Sequence, residues 1–299
     1  MNMPRTNPFH GTGIAVCTPM LANGTIDFAA FDTLIDSLIG ASVDFLCILG
    51  TTAETPTLSP DEKRAIRQHA VRIGGGRVPL LLGCGSNSTS DVVSFLQSED
   101  LTGFSGVLIV TPYYNKPTQE GLYRHYCSVA EASPLPVVLY NVPGRTGVNL
   151  EAATTLRIAM NCPNVVAIKE ASGRIDQIDD ILRQAPEGFD VISGDDAITF
   201  ELIEAGAVGV ISVVGNAYPH KFARMVSDAL HGQTKEALAL HREFGELYKL
   251  SFKEGNPAGI KAVMAAQGKI QNVLRLPLVP VSQQTEETIK NYTATFADE

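Results

Sequence analysis

The feature that most constrains this chain is a repeated alternation of short apolar runs with longer amphipathic segments. Gly13–Cys17, Val43–Leu49, Pro79–Leu82, Gly106–Val110, Pro136–Tyr140, Val165–Lys169, Asp190–Ser193 and Gly209–Val214 have strand length and strand composition. The segments between them carry helix marks. Ser59-Pro60-Asp61-Glu62 is a capping box with proline at the first helical position, and Ile66, Ala70 and Ile73 then share a face before Gly74 stops the segment. Phe28, Phe31, Leu34, Ile35 and Leu38 follow the 3.6-residue period, as do Leu122, Tyr126 and Val129, and Ile178, Ile181 and Leu182. Strand ends fall roughly 25 to 33 residues apart, the size of one βα unit. Eight such units between about Gly13 and His231 predict an α/β fold, a closed (β/α)8 TIM barrel; an open doubly wound sheet usually needs fewer strands. Beyond the barrel, Thr234–Glu254 predicts one long helix with Leu240, Phe244 and Leu247 on a face, and Asn256-Pro257 opens a shorter one that stops at Gly268. No linker composition separates this tail. Residues 232–299 are therefore expected to form a C-terminal helical extension packed on a barrel of residues 1–231.

A hydrophobic fraction of 44% in 299 residues allows a large core, and a net charge of -9 with scattered Lys and Arg argues against a nucleic-acid partner. Anionic ligands would need a local cationic site. The five cysteines form no CxxC pair and are read as reduced core thiols. The six histidines show no ligand spacing, so neither a metal nor a cofactor is expected. No apolar stretch reaches membrane length, and Met1–Gly13 lacks the apolar segment of a secretory signal, so the expected location is the cytoplasm, away from membranes.

One of the apolar runs, Val165-Val166-Ala167-Ile168-Lys169, ends on an ammonium. Burial disfavours the charged form of lysine and favours the neutral amine, a nucleophile that can form a Schiff base with a carbonyl substrate. At the ordinary pKa of about 10.4, well under ~0.1% of a lysine is neutral at pH 7, so a shift of two to three units gains roughly a hundred- to a thousandfold. A lysine that snorkels out of a strand end, or pairs with a carboxylate, is the plainer alternative. In a barrel of this kind the chemistry sits where strands end, so the residues that close the other runs decide between the two.

Strand two ends in Gly50-Thr51-Thr52-Ala53-Glu54, with two hydroxyls and loop amides suited to a small carboxylate, or simply a polar turn. Strand three ends in Gly83-Cys84-Gly85, which lacks the third glycine of a dinucleotide fingerprint. Strand four ends in Tyr113-Tyr114-Asn115-Lys116-Pro117, whose phenols are packing groups or proton carriers. Strand five closes on Tyr140, and Arg145 follows in a tight turn that can present it to an anion. Strand seven ends in Ser193-Gly194-Asp195-Asp196, where the acids can cap the next helix. Neighbouring strands place Tyr140 beside Lys169, the arrangement a phenol needs to move protons in imine formation and hydrolysis. The hydroxyls of Thr52 and Tyr114 can extend that relay.

These stretches, together with Lys169-Glu170-Ala171-Ser172-Gly173, resemble the dihydrodipicolinate synthase family over nearly the whole chain. Where that family has glycine after the paired threonines this chain has Ala53, a small change expected to be tolerated. The resemblance implies a Schiff-base lyase of lysine and diaminopimelate biosynthesis, with pyruvate and L-aspartate 4-semialdehyde as its small-molecule partners. Lys169 captures pyruvate, Thr51 and Thr52 hold its carboxylate, and Tyr140, Thr52 and Tyr114 relay protons. Arg145 holds the carboxylate of the second substrate, and Gly194 and Ile211 line the pyruvate pocket through their backbone. The product is 4-hydroxy-tetrahydrodipicolinate. The resemblance also implies a homotetramer of tight dimers, with Tyr114 completing the neighbouring subunit's site.

Sister enzymes, sialic-acid (N-acetylneuraminate) lyase and the keto-deoxy-sugar acid aldolases, share the barrel, the lysine and the tyrosine, so they stand as the alternative. They typically lack an arginine in the turn that carries Arg145 and have serine in the pair matching Thr51-Thr52. A pyridoxal-phosphate lysine lacks a glycine-rich phosphate cradle here, and a non-catalytic pyruvate-binding barrel sits poorly with an intact Lys169, Tyr140 and Thr52. The family's lysine effector site maps onto Thr55, Pro56, Pro60, Lys63, Asn87, Asp91 and Tyr113. Lysine-sensitive members typically carry histidines where this chain has Pro60 and Lys63, so the site is expected to be degenerate.

Overall fold

Strands that are apolar at nearly every position need cover on both faces, and a closed parallel barrel ringed by helices provides it. The computed structural model describes residues 7–298, so the first part of the Met1–Gly13 stretch and the last residue lie outside the described residues. Gly11–Ala15 (β1), Phe45–Ile48 (β2), Leu80–Gly83 (β3), Gly106–Val110 (β4), Val137–Asn141 (β5), Val165–Glu170 (β6), Asp190–Ser193 (β7) and Gly209–Ser212 (β8) pair in sequence order. All pairs are parallel, and β8 closes on β1. The seam between β8 and β1 needs two glycines. A Cβ on Gly209 would stand 2.1 Å from the carbonyl oxygen of Gly11, and both residues have positive φ, +152° and +82°. That seam also starts β1 two residues earlier than its apolar letters indicate and leaves Cys17 beyond the strand.

Eight helices follow the strands: Phe28–Gly40 (α1), Pro60–Gly74 (α2), Thr89–Ser98 (α3), Gln119–Ala132 (α4), Ala152–Asn161 (α5), Ile175–Gln184 (α6), Thr199–Glu204 (α7) and Pro219–Leu230 (α8). The box at α2 forms as read, with Glu62 N–H donating to Ser59 Oγ at 3.2 Å and Ser59 N–H to Glu62 Oε2 at 2.9 Å. Alternation along the strands divides the core in two. Phe45, Cys47, Leu81, Leu108, Val138 and Ile192 fill the barrel, and Leu46, Ile48, Leu82, Ile109 and Leu139 face outward onto Phe31, Ile35, Tyr126 and Ile178 of the helices. Burial raises the thiol pKa values of Cys17, to about 12, and Cys47, to about 11. Cys84 and Cys127 are partly buried and pack against the core, and burial raises the Cys84 thiol to about 12 as well.

The tail departs from the sequence reading. The long helix is two, Thr234–Glu243 (α9) and Gly245–Phe252 (α10), broken at Phe244 where Gly245 weakens helix continuity. The shorter helix is Ala258–Ala266 (α11), with Pro257 at its N-cap, and Gln283–Thr293 (α12) is an addition whose Ser282 hydroxyl accepts from Thr285 N–H. This tail grips the βα face. Lys261 of α11 is fully buried against Glu54 after β2, Nζ to Oε1 2.5 Å, and also donates to the Val273 carbonyl at 2.8 Å. Arg275 N–H donates to the other oxygen of Glu54, and its guanidinium grips Glu62 with two bonds.

Candidate active site

The strand ends converge on Lys169, which is 5% exposed on β6. Its register is set by an extra residue. Val137 of β5 faces Val165, but Val138 faces Ala167, so Val166 bulges and Tyr140 comes opposite Lys169. Lys169 Nζ lies 4.5 Å from the centre of the Tyr140 ring. Lys261 has a buried carboxylate partner; Lys169 belongs to none of the ion pairs among the described residues. Space for its stem comes from β7. A Cβ on Gly194 would fall 3.0 Å from Lys169 Cε and 2.8 Å from Ala171 Cβ, and Gly194 N–H donates to the Glu170 carbonyl at 2.7 Å.

The next residue along β6 points the other way. Glu170 is fully buried outside the barrel and accepts from Asn141 Nδ2 at 2.9 Å, Gln177 Nε2 at 3.2 Å and Ser172 N–H at 3.2 Å. Desolvation raises its pKa against these bonds. Asn141 also receives Leu150 N–H, so the polar group ties the ends of β5 and β6 together behind the lysine. The sequence does not announce this pair, because Asn141 and Glu170 close nearly all-apolar strands whose letters do not show which face each takes.

Thr51 and Thr52 stand in a tight turn, Thr51–Ala53, after β2, with Thr52 buried. Ala53 is buried too and its carbonyl accepts from Thr18 Oγ1, so the added methyl is accommodated. Arg145 lies in the short helical turn Pro143–Thr146 and is exposed, its guanidinium donating to the Asn256 carbonyl at 3.1 Å. Asn256, from the tail, also donates Nδ2 to Thr52 Oγ1 at 3.0 Å. No sequence motif marks this residue, whose Asn-Pro pair signals only a helix start. Ile211 is buried on β8.

Of the two acids after β7, Asp195 caps the turn Asp196–Ile198 as read. Asp196 does something else. It is fully buried, accepts from Val213 and Val214 N–H at 2.9 Å each, and desolvation pushes its pKa up to about 6. Tyr114 is not brought to Lys169 within the chain. It projects from the loop after β4, 87% exposed, with φ +76°. The effector positions stand on neighbouring loops and helix starts: Thr55 and Pro56 before α2, Pro60 and Lys63 in it, Asn87 and Asp91 around the start of α3, and Tyr113 beside Tyr114.

A buried amine, a phenol in register with it, paired hydroxyls and an arginine at one mouth can hold a keto acid covalently and a second anion beside it. Comparison with known proteins meets this geometry. The model of the Dihydrodipicolinate synthetase family matches residues 8–295. A 4-hydroxy-tetrahydrodipicolinate synthase of Phocaeicola vulgatus is 54% identical over 280 residues, covering 94% of each chain. Its counterpart from Parabacteroides distasonis is 51% identical over 280 residues, again 94% of each. The crystal structure of dihydrodipicolinate synthase from Thermotoga maritima superposes with a TM-score of 0.93 at 42% identity, covering 96% of this chain and 98% of that one.

Proposed function

The chain belongs to the dihydrodipicolinate synthetase family, and from that premise we propose that its lyase reaction runs through Lys169. The reaction is the 4-hydroxy-tetrahydrodipicolinate synthase reaction of lysine and diaminopimelate biosynthesis, which condenses pyruvate with L-aspartate 4-semialdehyde. The alternative, sugar-acid cleavage, has no support among these relatives.

The amine of Lys169 adds to the keto carbon of pyruvate with its N–H proton passing to Tyr140, and the carbinolamine loses water as Tyr140 returns that proton to the leaving hydroxyl. Thr51 and Thr52 hold the pyruvate carboxylate. Loss of a methyl proton to the relay of Tyr140, Thr52 and Tyr114 gives the enamine, whose terminal carbon attacks the aldehyde of the second substrate, and the aldehyde oxygen takes that proton back from the relay. Arg145 holds that substrate's carboxylate by charge-assisted hydrogen bonds. The substrate amine then attacks the imine carbon, closes the ring and expels Lys169 as the free amine. Gly194 and Ile211 line the pyruvate end through their backbones.

The observation that carries this reading is the buried Lys169 facing Tyr140 with its Nζ 4.5 Å from the ring centre. Borohydride reduction with pyruvate present tests it. The adduct is expected on Lys169 alone by peptide mass mapping, and an adduct on another lysine, or none in active enzyme, overturns it.

The exposed Tyr114, with Tyr113 beside it, supports pairing into tight dimers in which Tyr114 enters the neighbour's relay, and two such dimers make a homotetramer. Sedimentation of the protein at micromolar concentration tests the tetramer. We assign residues 1–231 to the barrel and 232–299 to a helical extension packed on it, the first six residues and the last lying outside the described residues. No helix among the described residues is long and apolar enough to cross a membrane. The reaction's water-soluble metabolite substrates support a cytoplasmic location for the enzyme.

A further inference from the structure

Asn256 stands between the two halves of the site. Its Nδ2 donates to Thr52 Oγ1 at 3.0 Å, and its backbone carbonyl accepts from the Arg145 guanidinium at 3.1 Å. It is 6% exposed, and its Oδ1 is buried with no hydrogen-bond partner among the described residues. Burying an unpaired amide oxygen costs stability, so packing alone does not account for an asparagine here. What the amide does have is a direction. An N–H only donates, so Thr52 Oγ1 serves as acceptor in this bond and its own proton is left to point away from Asn256.

We propose that Asn256 is a positioning residue for the condensation: its side-chain amide orients the Thr52 hydroxyl so that the hydroxyl proton is presented to the relay. The inference rests on the reading of Thr52 as a proton carrier.

The surrounding structure makes the contact rigid. Two residues past Thr52, Glu54 is locked to Lys261, and Lys261 lies five residues past Asn256 on α11. The loop after β2 and the start of α11 are thus joined at two points, Thr52 to Asn256 and Glu54 to Lys261. The tail thereby contributes to the chemistry without touching the reacting atoms. A backbone carbonyl holds Arg145, so side-chain substitution at position 256 separates the relay from the second-substrate anchor.

The test compares wild type with Asn256→Asp, Asn256→Ala, Thr52→Val and the Asn256→Ala/Thr52→Val pair, by steady-state rates for both substrates across pH and by thermal melting. A carboxylate has the shape of the amide but accepts only, so it draws the Thr52 proton onto itself. Asn256→Asp is expected to lower kcat at least about tenfold, the size of one misdirected charge-assisted bond. The KM for the aldehyde is expected to stay within about twofold, because the carbonyl that holds Arg145 remains. As pH falls through the titration of the introduced carboxyl, its O–H becomes a donor again and kcat relative to wild type is expected to recover in part. A structural disturbance by the buried charge would move the melting temperature over the same pH range, so recovery of kcat without a matching change in melting marks positioning. Asn256→Ala is expected to slow wild type but to add nothing in the Thr52→Val background, and it gives the same reading should the aspartate variant fail to fold. Wild-type kcat in Asn256→Asp or Asn256→Ala beside a slow Thr52→Val overturns this inference alone, as does a full additional loss in the double variant. Wild-type kcat in Thr52→Val overturns the relay reading and this inference with it.

Discussion

Tyr140 faces Lys169 because Val166 is one residue too many for its strand. With an unbroken register Tyr140 would oppose Ile168, and Lys169 would oppose Asn141, whose side chain belongs to the outer polar group behind the barrel. The bulge delivers phenol and amine to the same interior, within ring contact. Tyr140→Phe keeps that ring and removes only the hydroxyl. The variant is expected to lose about 10²- to 10⁴-fold in kcat, the usual weight of a positioned proton carrier, with pyruvate KM changed far less. Near-wild-type turnover by Tyr140→Phe would assign the proton steps elsewhere.

Arg145→Ala separates the two substrates. Arg145 is exposed and, among the described residues, its guanidinium hydrogen-bonds only the Asn256 carbonyl, leaving its remaining N–H groups for an incoming carboxylate. Borohydride trapping of pyruvate should survive the change. kcat/KM for aspartate semialdehyde should fall at least about tenfold, since a lost charge-assisted bond costs about 1.5 to 3 kcal/mol. Failed trapping with intact aldehyde kinetics is the contrary result.

The Glu54–Lys261 pair sets up a stability test. Both side chains are fully buried, so Lys261→Met leaves a carboxylate without its counter-charge in the protein interior. Breaking a buried pair in this way costs about 3 to 5 kcal/mol, and replacing both partners by apolar or neutral groups costs much less. Urea unfolding should therefore show Lys261→Met well below wild type and Glu54→Gln/Lys261→Met in between. A single variant as stable as wild type would mean that the pair contributes little.

The eight apolar runs were legible because burial on both faces leaves long hydrophobic stretches, and their ends carried Lys169, Tyr140 and the paired threonines in plain sight. What stayed hidden depends on contacts across more than a hundred residues. Nothing near Glu54 in sequence announces Lys261, and nothing near Asn256 announces Thr52. The break at Phe244 was missed for a different reason: the apolar face of Leu240, Phe244 and Leu247 continues through it, so periodicity outvoted the glycine at 245. Gln283–Thr293 was missed because it buries only Thr285 and Ile289, too narrow a face to stand out from polar neighbours.

Glu62 links acid stability to the same tail. Hydrogen bonds from Arg275, aided by Ser59, lower its pKa from 4.5 to about 2. A carboxyl whose folded pKa is depressed contributes stability above its unfolded value, and that contribution is lost as pH falls from about 4.5 towards 2. Glu62→Gln should be less stable than wild type at pH 7 and converge on it through that window. A gap that stays constant down to the acid limit would show that the charge is not its source.

L-Lysine is expected to inhibit this enzyme weakly or not at all. Three of the mapped effector positions suit a lysine ligand: Asn87 can hydrogen-bond, Asp91 can pair with an ammonium, and Tyr113 can pack on the aliphatic stem. Three of the remaining four are committed or changed. Thr55 Oγ1 already donates to the carbonyls of Leu49 and Gly50, at 3.0 and 2.9 Å. Pro60 occupies the first position of α2, where its fixed φ and missing N–H suit the helix start, and it has no polar group to offer. Lys63 is partly buried, and desolvation lowers its pKa, so a second cation arriving beside it meets a site already short of water. Its amine can still pair with the ligand carboxylate, which leaves residual binding at high lysine. Initial rates at subsaturating pyruvate with rising L-lysine measure the effect, and strong inhibition at submillimolar lysine would show that Pro60 and Lys63 do not disable the site.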